Sequence, residues 1–509
     1  MNPRFERFFR FREGTESESA PRAPSRFFRF GDTADTPRGT ARTPSRFFRF
    51  GDTADTPRGT ARTPSRFFRF GEPADAPPSA PWTASRFFRF RESQEASQSA
   101  PASAATAAPA PAAAPESSDV FAKAYAYNRP QEVRALGLYP YFLPVERSDA
   151  TEVIIEGAPR IMVGSNNYLG LTNDPRVIEA AADALKKYGS ACTGSRFLNG
   201  NTDLHERLET DLATLMGKPA ALVFPTGYQA NLGVISALCS SGDVLLLDKL
   251  NHASMMDGAT LSGAEVVRFR HGDLDHLEAR LARATGRSKM VIVDGVFSME
   301  GDIANLPRLV EQCEAHGARL VVDDAHGVGV FGPTGAGVAE HFGLTNRVDL
   351  IIGTFSKSFA SIGGFVAGDE AVISYIRHTA RSLIFSAAIP ASACAAVIKA
   401  MEIMAKEPER RERLWAHARR MHRELSGMGF DTAGTESPIV PVVVGGTLRT
   451  FEFWRKLFDA GVFTNPVIAP AVPPTSGRIR TSYMATHTDS QLDFVLDAFS
   501  RVGREMGLI

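Results

Sequence analysis

The stretch IIGTFSKS (Ile351–Ser358) decides the fold class of this 509-residue chain. Its apolar start predicts a buried strand, which ends at Gly353 in a turn of small hydroxyl residues and one lysine, Lys357. A lysine held in a low-dielectric cleft has a lowered pKa, so its neutral amine can attack a carbonyl carbon. Thr354 and Ser356 would supply hydroxyl groups for a phosphate. Taken alone, the same pattern also fits an ordinary surface lysine that follows a strand.

A second strand end carries an acid and an imidazole. The stretch LVVDDAH (Leu320–His326) places Asp323 at the end of an apolar run and His326 three residues later. A carboxylate beside a pyridine-type nitrogen keeps that nitrogen protonated, which lets the ring accept electrons. His326 would reach a hydroxyl on the same ring. The alternatives are a strand-end cap for Asp323 and a hydrogen-bonded core histidine for His326.

Polar residues follow three further apolar runs. Gly227 and Tyr228 follow Ala221–Phe224 and open a predicted helix, whose first N–H groups would bind a phosphate. His252 would stack on a cofactor ring, and Ser298 also follows a strand. A plain strand-to-helix turn and a capping loop are the alternatives.

Short apolar runs alternate with helical patterns through the middle of the chain, which predicts an α/β fold with a mostly parallel central sheet and helices on both faces. Beyond about Ala395 the pattern predicts a long charged helix (Ala395–Met428) and a smaller α+β domain. The predicted strands of the sheet are Ala221–Phe224, Val244–Asp248, Val266–Phe269, Met290–Asp294, Leu320–Asp323 and Leu350–Gly353. The predicted helices include Pro175–Tyr188, Thr202–Met216, Leu274–Ala284 and Leu306–His316.

The motif RFFRF occurs five times in the first 90 residues, and its last four copies start 20 residues apart. Each unit offers too little apolar surface to offset the entropy of ordering its backbone, so residues 1–118 are predicted to be disordered. The repeats are either a neutral expansion or tethered contacts for a protein partner, for self-association or for an anionic membrane surface. Nucleic acid is not an expected partner, since the formal net charge is zero.

The four cysteines lie far apart and form no CxxC pair, so the sequence suggests neither a metal site nor a disulfide framework. No apolar run approaches the roughly 20 residues of a membrane span. We therefore expect a cytoplasmic protein, and peripheral contact with the inner face of the membrane stays open.

Seven sequence elements resemble, in order, those of the α-oxoamine synthases, a family of fold-type-I enzymes that use pyridoxal 5'-phosphate (PLP). They are GSNNYLGL (164–171), GSRFLNGN (194–201), FPTGYQAN (224–231), NHAS (251–254), GVFSMEGD (295–302), VDDAHG (322–327) and GTFSKS (353–358). The resemblance covers Tyr125 to Ile509. It implies an N-terminal arm at 119–165, a large PLP-binding domain at 166–395 and a small C-terminal domain at 396–509.

The resemblance also implies roles for individual residues. Lys357 would hold PLP as a Schiff base, Asp323 would pair with the ring nitrogen, His326 with the ring oxygen, and His252 would stack on the ring. Members of the family are homodimers, and Ser386 matches the residue that reaches the neighbouring subunit's phosphate. The expected catalytic residues are Lys357, His252, Asp323 and His326. The same four residues, with Gly227, Tyr228, Ser298, Thr354, Ser356 and Ser386, are expected to bind PLP. The expected substrate-binding residues are Asn167, His252 and Arg480.

Within the family, the stretches GTFSKS, RSLIFSA and YMATHTDSQLDFVLDAF are most similar to members that condense L-serine with palmitoyl-CoA. Asn166 departs from the tyrosine that some of those members carry. The alternatives are members that use glycine with acetyl-CoA or alanine with a pimeloyl thioester, and 5-aminolevulinate synthase. An inactive partner subunit and a scaffold built on the repeats are the non-enzymatic alternatives. Acyl-chain length, and coenzyme A against acyl-carrier protein as the thioester carrier, stay open.

Overall fold

A computed structural model describes residues 119–509 of the chain. The predicted disorder and the repeats of residues 1–118 lie outside the described residues. The strands are β1 (Arg147–Ser148), β2 (Glu152–Ile155), β3 (Ala158–Met162), β4 (Ala220–Phe224), β5 (Val244–Asp248), β6 (Glu265–Phe269), β7 (Lys289–Asp294), β8 (Arg319–Asp323), β9 (Leu350–Thr354), β10 (Gly364–Gly368), β11 (Ile439–Gly445), β12 (Val462–Phe463), β13 (Asn465–Val467) and β14 (Gly477–Ser482). The α-helices are α1 (Ala122–Tyr125), α2 (Arg129–Ala135), α3 (Pro175–Tyr188), α4 (Asp203–Leu215), α5 (Gly227–Leu238), α6 (Ala253–Ser262), α7 (Leu274–Arg283), α8 (Leu306–Ala315), α9 (Val338–His341), α10 (Glu370–Thr379), α11 (Arg381–Ile384), α12 (Ala391–Lys406), α13 (Glu409–Gly427), α14 (Thr447–Asp459) and α15 (Asp489–Glu505).

Seven strands form the central sheet, in the order β4-β10-β9-β8-β7-β5-β6. The strand β10 is antiparallel to both of its neighbours, whereas the other neighbouring pairs are parallel. Each of the six strands predicted from sequence is present with its bounds within one residue. The α/β fold with a mostly parallel sheet is therefore confirmed.

Both faces of this sheet are buried. Along β8, Val322 packs into one apolar core while its neighbour Val321 packs into another. Along β7, Val291 and Ile292 divide between the same two cores. Successive side chains of a strand point to opposite faces, so helices that cover both faces require the continuous apolar runs seen in the sequence.

The C-terminal elements build a separate apolar core around Trp454 and Phe499 on α14 and α15. The three-stranded sheet β11-β14-β13 contributes to this core. Strand β3 pairs in parallel with β12, and Val153 and Ile155 of β2 pack into the same core. The N-terminal arm therefore packs with the C-terminal elements, although more than 250 residues separate them in sequence.

Two elements differ from the expectation. The predicted single helix Ala395–Met428 is two helices, α12 and α13, which are separated at Glu407 and Pro408. Proline disfavours helical backbone in the residue before it, and Glu407 has φ −125° and ψ 64°. The strand β10 (GFVAG) was not predicted, because its two glycines hide a strand pattern. Among the described residues, we find no helix with both the length and the apolar character that a membrane span requires.

Candidate active site

The predicted site residues meet at the carboxyl edge of the central sheet. Asp294 ends β7 and Asp323 ends β8, and the two residues are direct partners in the parallel register. Thr354 ends β9, three residues before Lys357, and His252 follows β5. In open α/β sheets, ligands bind beyond the carboxyl ends of the strands. The fold therefore brings together side chains that lie far apart in sequence, such as those of His252 and Lys357, which are 105 residues apart.

Lys357 lies half-buried in this cleft, and the loss of water around its ammonium group lowers its pKa to about 8. The nearby carboxylate of Asp323 opposes the shift, whereas the positive charge of Arg480 adds to it. A lysine with this pKa is partly neutral near pH 7 to 8, which a nucleophile or a general base requires.

The carboxylate of Asp323 is buried and held by two donors. The amide Nδ2 of Asn231 donates to Oδ2 at 2.6 Å, and the backbone N–H of Ala325 donates to Oδ1 at 3.1 Å. Both bonds fix the direction of the carboxylate. Asn231 lies in the motif FPTGYQAN, but the sequence alone does not predict its role, because its contact to Asp323 spans 92 residues.

The His326 ring is buried, and its Nδ1 lies 2.7 Å from the hydroxyl of Tyr168. Burial lowers the pKa of His326 well below its ordinary value, and the positive charges of Lys357 and Arg480 act in the same direction. His326 is therefore a neutral hydrogen-bonding group. Tyr168 was also missed by sequence reasoning, although it lies within the quoted motif GSNNYLGL.

His252 caps the N-terminus of α6. Its backbone N–H donates to Asp294 at 2.9 Å, and its Nδ1 accepts the backbone N–H of Ser254 at 3.3 Å. The side chain is exposed on one side, whereas the protein on its inner side desolvates the ring and so lowers its pKa. Tyr228 lies edge-on to this ring, with 6.4 Å between the ring centroids.

The first turn of α5 forms one end of the cleft. Thr226 caps the helix by accepting the N–H of Gln229. The N–H groups of Gly227 and Tyr228 belong to the first turn, where helix geometry gives them no acceptor within the helix. A Cβ on Gly227 would lie 2.9 Å from the Cβ of Thr354, a distance that only glycine avoids. This helix start can bind a phosphate.

Hydroxyl groups surround the same helix start. The Oγ atoms of Thr354 and Ser356 lie 2.9 Å apart. Ser386 accepts a hydrogen bond from Nε2 of Gln229 at 3.0 Å, so its hydroxyl lies beside the first turn of α5 in its own chain. The hydroxyl of Tyr228 donates to Asp257. The predicted phosphate residues are thus close to one another.

Arg480 on β14 is buried, with 4% of its surface exposed. Its Nε donates to the backbone carbonyl of Ser298 at 2.6 Å, and its Nη2 donates to Oδ1 of Asn166 at 3.0 Å. A weaker bond of 3.4 Å joins Nη1 to Oγ of Ser482. A guanidinium has five N–H groups, so two remain for a substrate carboxylate. Ser298 therefore binds Arg480 through its backbone carbonyl.

Asn167, the predicted substrate-binding residue, uses its side chain within its own turn. Its Nδ2 donates to Thr172 at 2.8 Å, and its Oδ1 accepts the N–H of Leu171 at 3.0 Å. Its neighbour Asn166 is the residue that contacts Arg480. These bonds use one of the two amide N–H groups of Asn167, so its substrate role stays a prediction.

The residues present fit PLP on chemical grounds. The start of α5, with the hydroxyls of Thr354 and Ser356, provides donors for a phosphate dianion. Asp323 offers a buried carboxylate for a ring nitrogen, and Lys357 offers an amine with a lowered pKa. His326 offers a neutral imidazole for a ring hydroxyl.

Fold and site together define a PLP-dependent enzyme of fold type I. The family model "Aminotransferase class I and II" matches residues 159–499. The chain belongs to this family and, within it, to the α-oxoamine synthases. PLP is its cofactor.

Individual relatives agree with this assignment. The chain is 50% identical over 380 residues to a serine palmitoyltransferase of Sphingobacterium spiritivorum, which covers 74% of this chain and 95% of that protein. It is 42% identical to an 8-amino-7-oxononanoate synthase of Thermoanaerobacter pseudethanolicus, over 74% of this chain and 96% of that protein. A solved serine palmitoyltransferase of S. paucimobilis, with PLP and myriocin bound, superposes with a TM-score of 0.74 at 39% identity. That match covers 76% of this chain and 98% of the solved chain.

Proposed function

We propose that this enzyme condenses L-serine with palmitoyl-CoA, releases coenzyme A and CO2, and forms 3-ketodihydrosphingosine, the first step of sphingolipid synthesis. The observation that carries the proposal is the 50% identity to a serine palmitoyltransferase over 95% of its length. The clustering of Lys357, Asp323, His326 and Arg480 supports it, since the chemistry needs an amine, a ring partner and a carboxylate clamp.

Serine would be held by its carboxylate on Arg480. The guanidinium is fixed by Ser298 and Asn166, so its two remaining N–H groups point in a direction set before serine binds. A preorganised bidentate clamp loses little entropy on binding and orients the Cα–H bond of the amino acid.

PLP, when bound, supplies an electrophilic carbon for the amino group and a ring that stores the electrons of a broken Cα bond. Asp323 would pair with the ring nitrogen, because Asn231 and the N–H of Ala325 hold its carboxylate in a fixed direction. Lys357 removes the Cα proton of serine, since its pKa of about 8 leaves part of it neutral at the working pH.

Carbon–carbon bond formation follows at the acyl thioester. The Cα of serine attacks the thioester carbonyl, the carbon–sulfur bond breaks, and coenzyme A leaves as the thiolate, which takes a proton from water. The serine carboxylate is then lost as CO2. The Cα then takes back a proton, for which Lys357 in its protonated form is the donor at hand. Burial keeps His326 neutral, so it adds a hydrogen-bond donor or acceptor without adding charge to the cleft.

The experiment is a substrate panel of L-serine, glycine and L-alanine against acyl-CoA thioesters of different length, with mass detection of the ketone product. We expect turnover with L-serine and C16 acyl-CoA. Turnover of alanine with pimeloyl thioester alone would instead establish the second candidate, 8-amino-7-oxononanoate synthase, which the relative at 42% identity favours. Turnover of glycine with acetyl-CoA alone would also contradict the proposal.

The assembly and location that we propose are a homodimer in the cytoplasm. Ser386 lies beside the start of α5, where a phosphate would bind, so a second subunit packed on this segment would border the site.

The RFFRF repeats are proposed as contacts for a protein partner or for the inner face of the membrane. Deletion of residues 1–118 tests their role. Loss of partner or membrane association with unchanged kcat is the expected result, and unchanged activity with unchanged localisation would refute the role.

A further inference from the structure

A chain of hydrogen bonds connects the carboxylate of Asp323 to the ring of His252. The amide Nδ2 of Asn231 donates one proton to Asp323 at 2.6 Å and the other to Oγ of Ser254 at 2.9 Å. The Oγ of Ser254 lies 2.8 Å from Nδ1 of His252. Asn231 and Ser254 are both buried, so water does not compete for these bonds.

The direction of every bond in this chain is determined by its chemistry. The NH2 group of Asn231, and not its oxygen, faces Asp323, and a carboxylate oxygen accepts its proton. The backbone N–H of Ser254 only donates, and it points at Nδ1 of His252 at 3.3 Å. Nδ1 therefore carries a lone pair, and the proton of the neutral ring is on Nε2.

We propose that Asn231 and Ser254 are positioning residues that hold His252 as the neutral Nε2–H tautomer, which donates one hydrogen bond to the substrate. The hydrogen bond from His252 to the substrate rests on the proposed function, whereas the tautomer of His252 does not. The hydroxyl of Ser254, which accepts from Asn231, directs its own proton to Nδ1. A protonated imidazole would place a second donor against the N–H of Ser254, so the chain disfavours the charged ring.

Other groups around His252 act on its charge but do not choose its tautomer. Lys357 lowers the pKa of the ring, whereas Asp323 and Asp257 raise it. Asp294 binds only the backbone N–H of His252. The charged and titratable groups that face this ring are Asp257, Asp294, Asp323, His326, Lys357 and Tyr228. Substitution of Ser254 leaves all six in place, so a change in the ring reports on the chain itself.

The test uses the PLP-loaded full chain labelled with 15N-histidine, and His252→Gln assigns the His252 signals. In the wild type, we expect the 15N shifts of an Nε2–H ring. In Ser254→Ala, the backbone N–H of residue 254 stays and only the hydroxyl donor is lost, so we expect part of the ring population to move to the Nδ1–H tautomer. We also expect a raised His252 pKa and a kcat/KM for L-serine that is reduced about three- to tenfold, the worth of one hydrogen bond. The matched control is Ser262→Ala on the same helix, whose hydroxyl bonds to the carbonyl of Ala259.

A second variant guards against a purely structural effect. In Asn231→Ala, the hydroxyl of Ser254 loses its donor, so the tautomer signal should shift in the same direction as in Ser254→Ala. The double variant should show less than the sum of the two losses in kcat/KM, since both act through one chain. Wild-type 15N shifts in Ser254→Ala would overturn the proposal, as would additive losses. A wild type that shows the Nε2–H ring but does not convert L-serine would refute the proposed function alone.

Discussion

The carboxyl and amino edges of the central sheet differ in how deeply their charged residues are buried. At the carboxyl edge, Asp294 and Asp323 are buried side by side and Lys357 has a lowered pKa. At the amino edge, Arg319 at the start of β8 forms a 2.7 Å ion pair with Asp349, and its side chain is 78% exposed. Exposed pairs are screened by water and contribute little, whereas buried charges have strong effects on their neighbours.

A cavity of about 470 Å³ lies at the amino edge, with Cys239, Lys289 and Asp349 among its lining residues. It contains no residue that the chemistry needs. The direction of the strands, and not the presence of a cavity, therefore marks the catalytic side of this fold. Substitutions matched across the two edges test this difference.

The largest effect is expected for Lys357→Ala. Loss of the proton-transferring amine should reduce kcat about 10²- to 10⁴-fold, the usual contribution of a general acid–base group. The visible absorbance band of bound PLP should also be lost or shifted. The control is Lys289→Ala at the amino edge, where the lysine binds the carbonyl of Arg287. Equal loss of activity in both variants would contradict the account.

Asp323→Asn should have the next largest effect. An amide cannot keep a ring nitrogen protonated, so we expect kcat to fall on the order of a hundredfold, the scale of one preorganised electrostatic group. The matched variant is Asp349→Asn. Asp349 precedes β9 and accepts the N–H of Leu320 on β8, so it lies at the opposite end of these strands from Asp323. Steady-state kinetics should show near wild-type kcat for Asp349→Asn.

Arg480→Lys should mainly raise KM for L-serine, by about tenfold to a hundredfold, since lysine cannot form a bidentate pair with a carboxylate. Arg478→Lys is the control on the same strand. Arg478 is also buried, but it donates to the carbonyl of Met299 and to Glu300. If the two variants raised KM equally, Arg480 would have no special role in binding serine.

The smallest effect concerns stability against pH. The pKa of Lys357 is about 8 in the folded protein, against an ordinary value of 10.5. Between these two values the unfolded chain binds more protons, so the free energy of unfolding of the PLP-free protein should rise with pH over this window. In Lys357→Met this contribution should vanish, which thermal unfolding of both proteins from pH 7.5 to 10 would measure. A parallel pH dependence in the two proteins would show that the lysine is not desolvated.

Much of the fold could be predicted because apolar strands are buried on both faces. The run before Asp323 and the run before Thr354 are continuous, and each ends in polar residues that the chemistry needs. The break between α12 and α13 was not predicted, although Pro408 disfavours helical backbone in the residue before it. The antiparallel strand β10 was not predicted, because the glycines at both of its ends hide a strand pattern.

The partners of the site residues were harder to predict. Asn231 contacts Asp323 across 92 residues, and Tyr168 contacts His326 across 158 residues. Asn166 contacts Arg480 across 314 residues. No local sequence pattern predicts such contacts. The hydroxyl of Ser254 has its role only because α6 begins beside α5. Sequence therefore identifies the reacting groups, whereas the fold identifies the groups that hold them.

The reaction that we propose at the carboxyl edge of the sheet is a decarboxylative condensation. The most direct measurement is incubation of the enzyme with L-serine labelled at its carboxyl carbon and palmitoyl-CoA, with counting of labelled CO2, free coenzyme A and ketone. We expect one of each per turnover, and formation of all three slowed about 10²- to 10⁴-fold in Lys357→Ala. Product that retains the labelled carboxyl carbon, or coenzyme A released without labelled CO2, would contradict the proposed reaction.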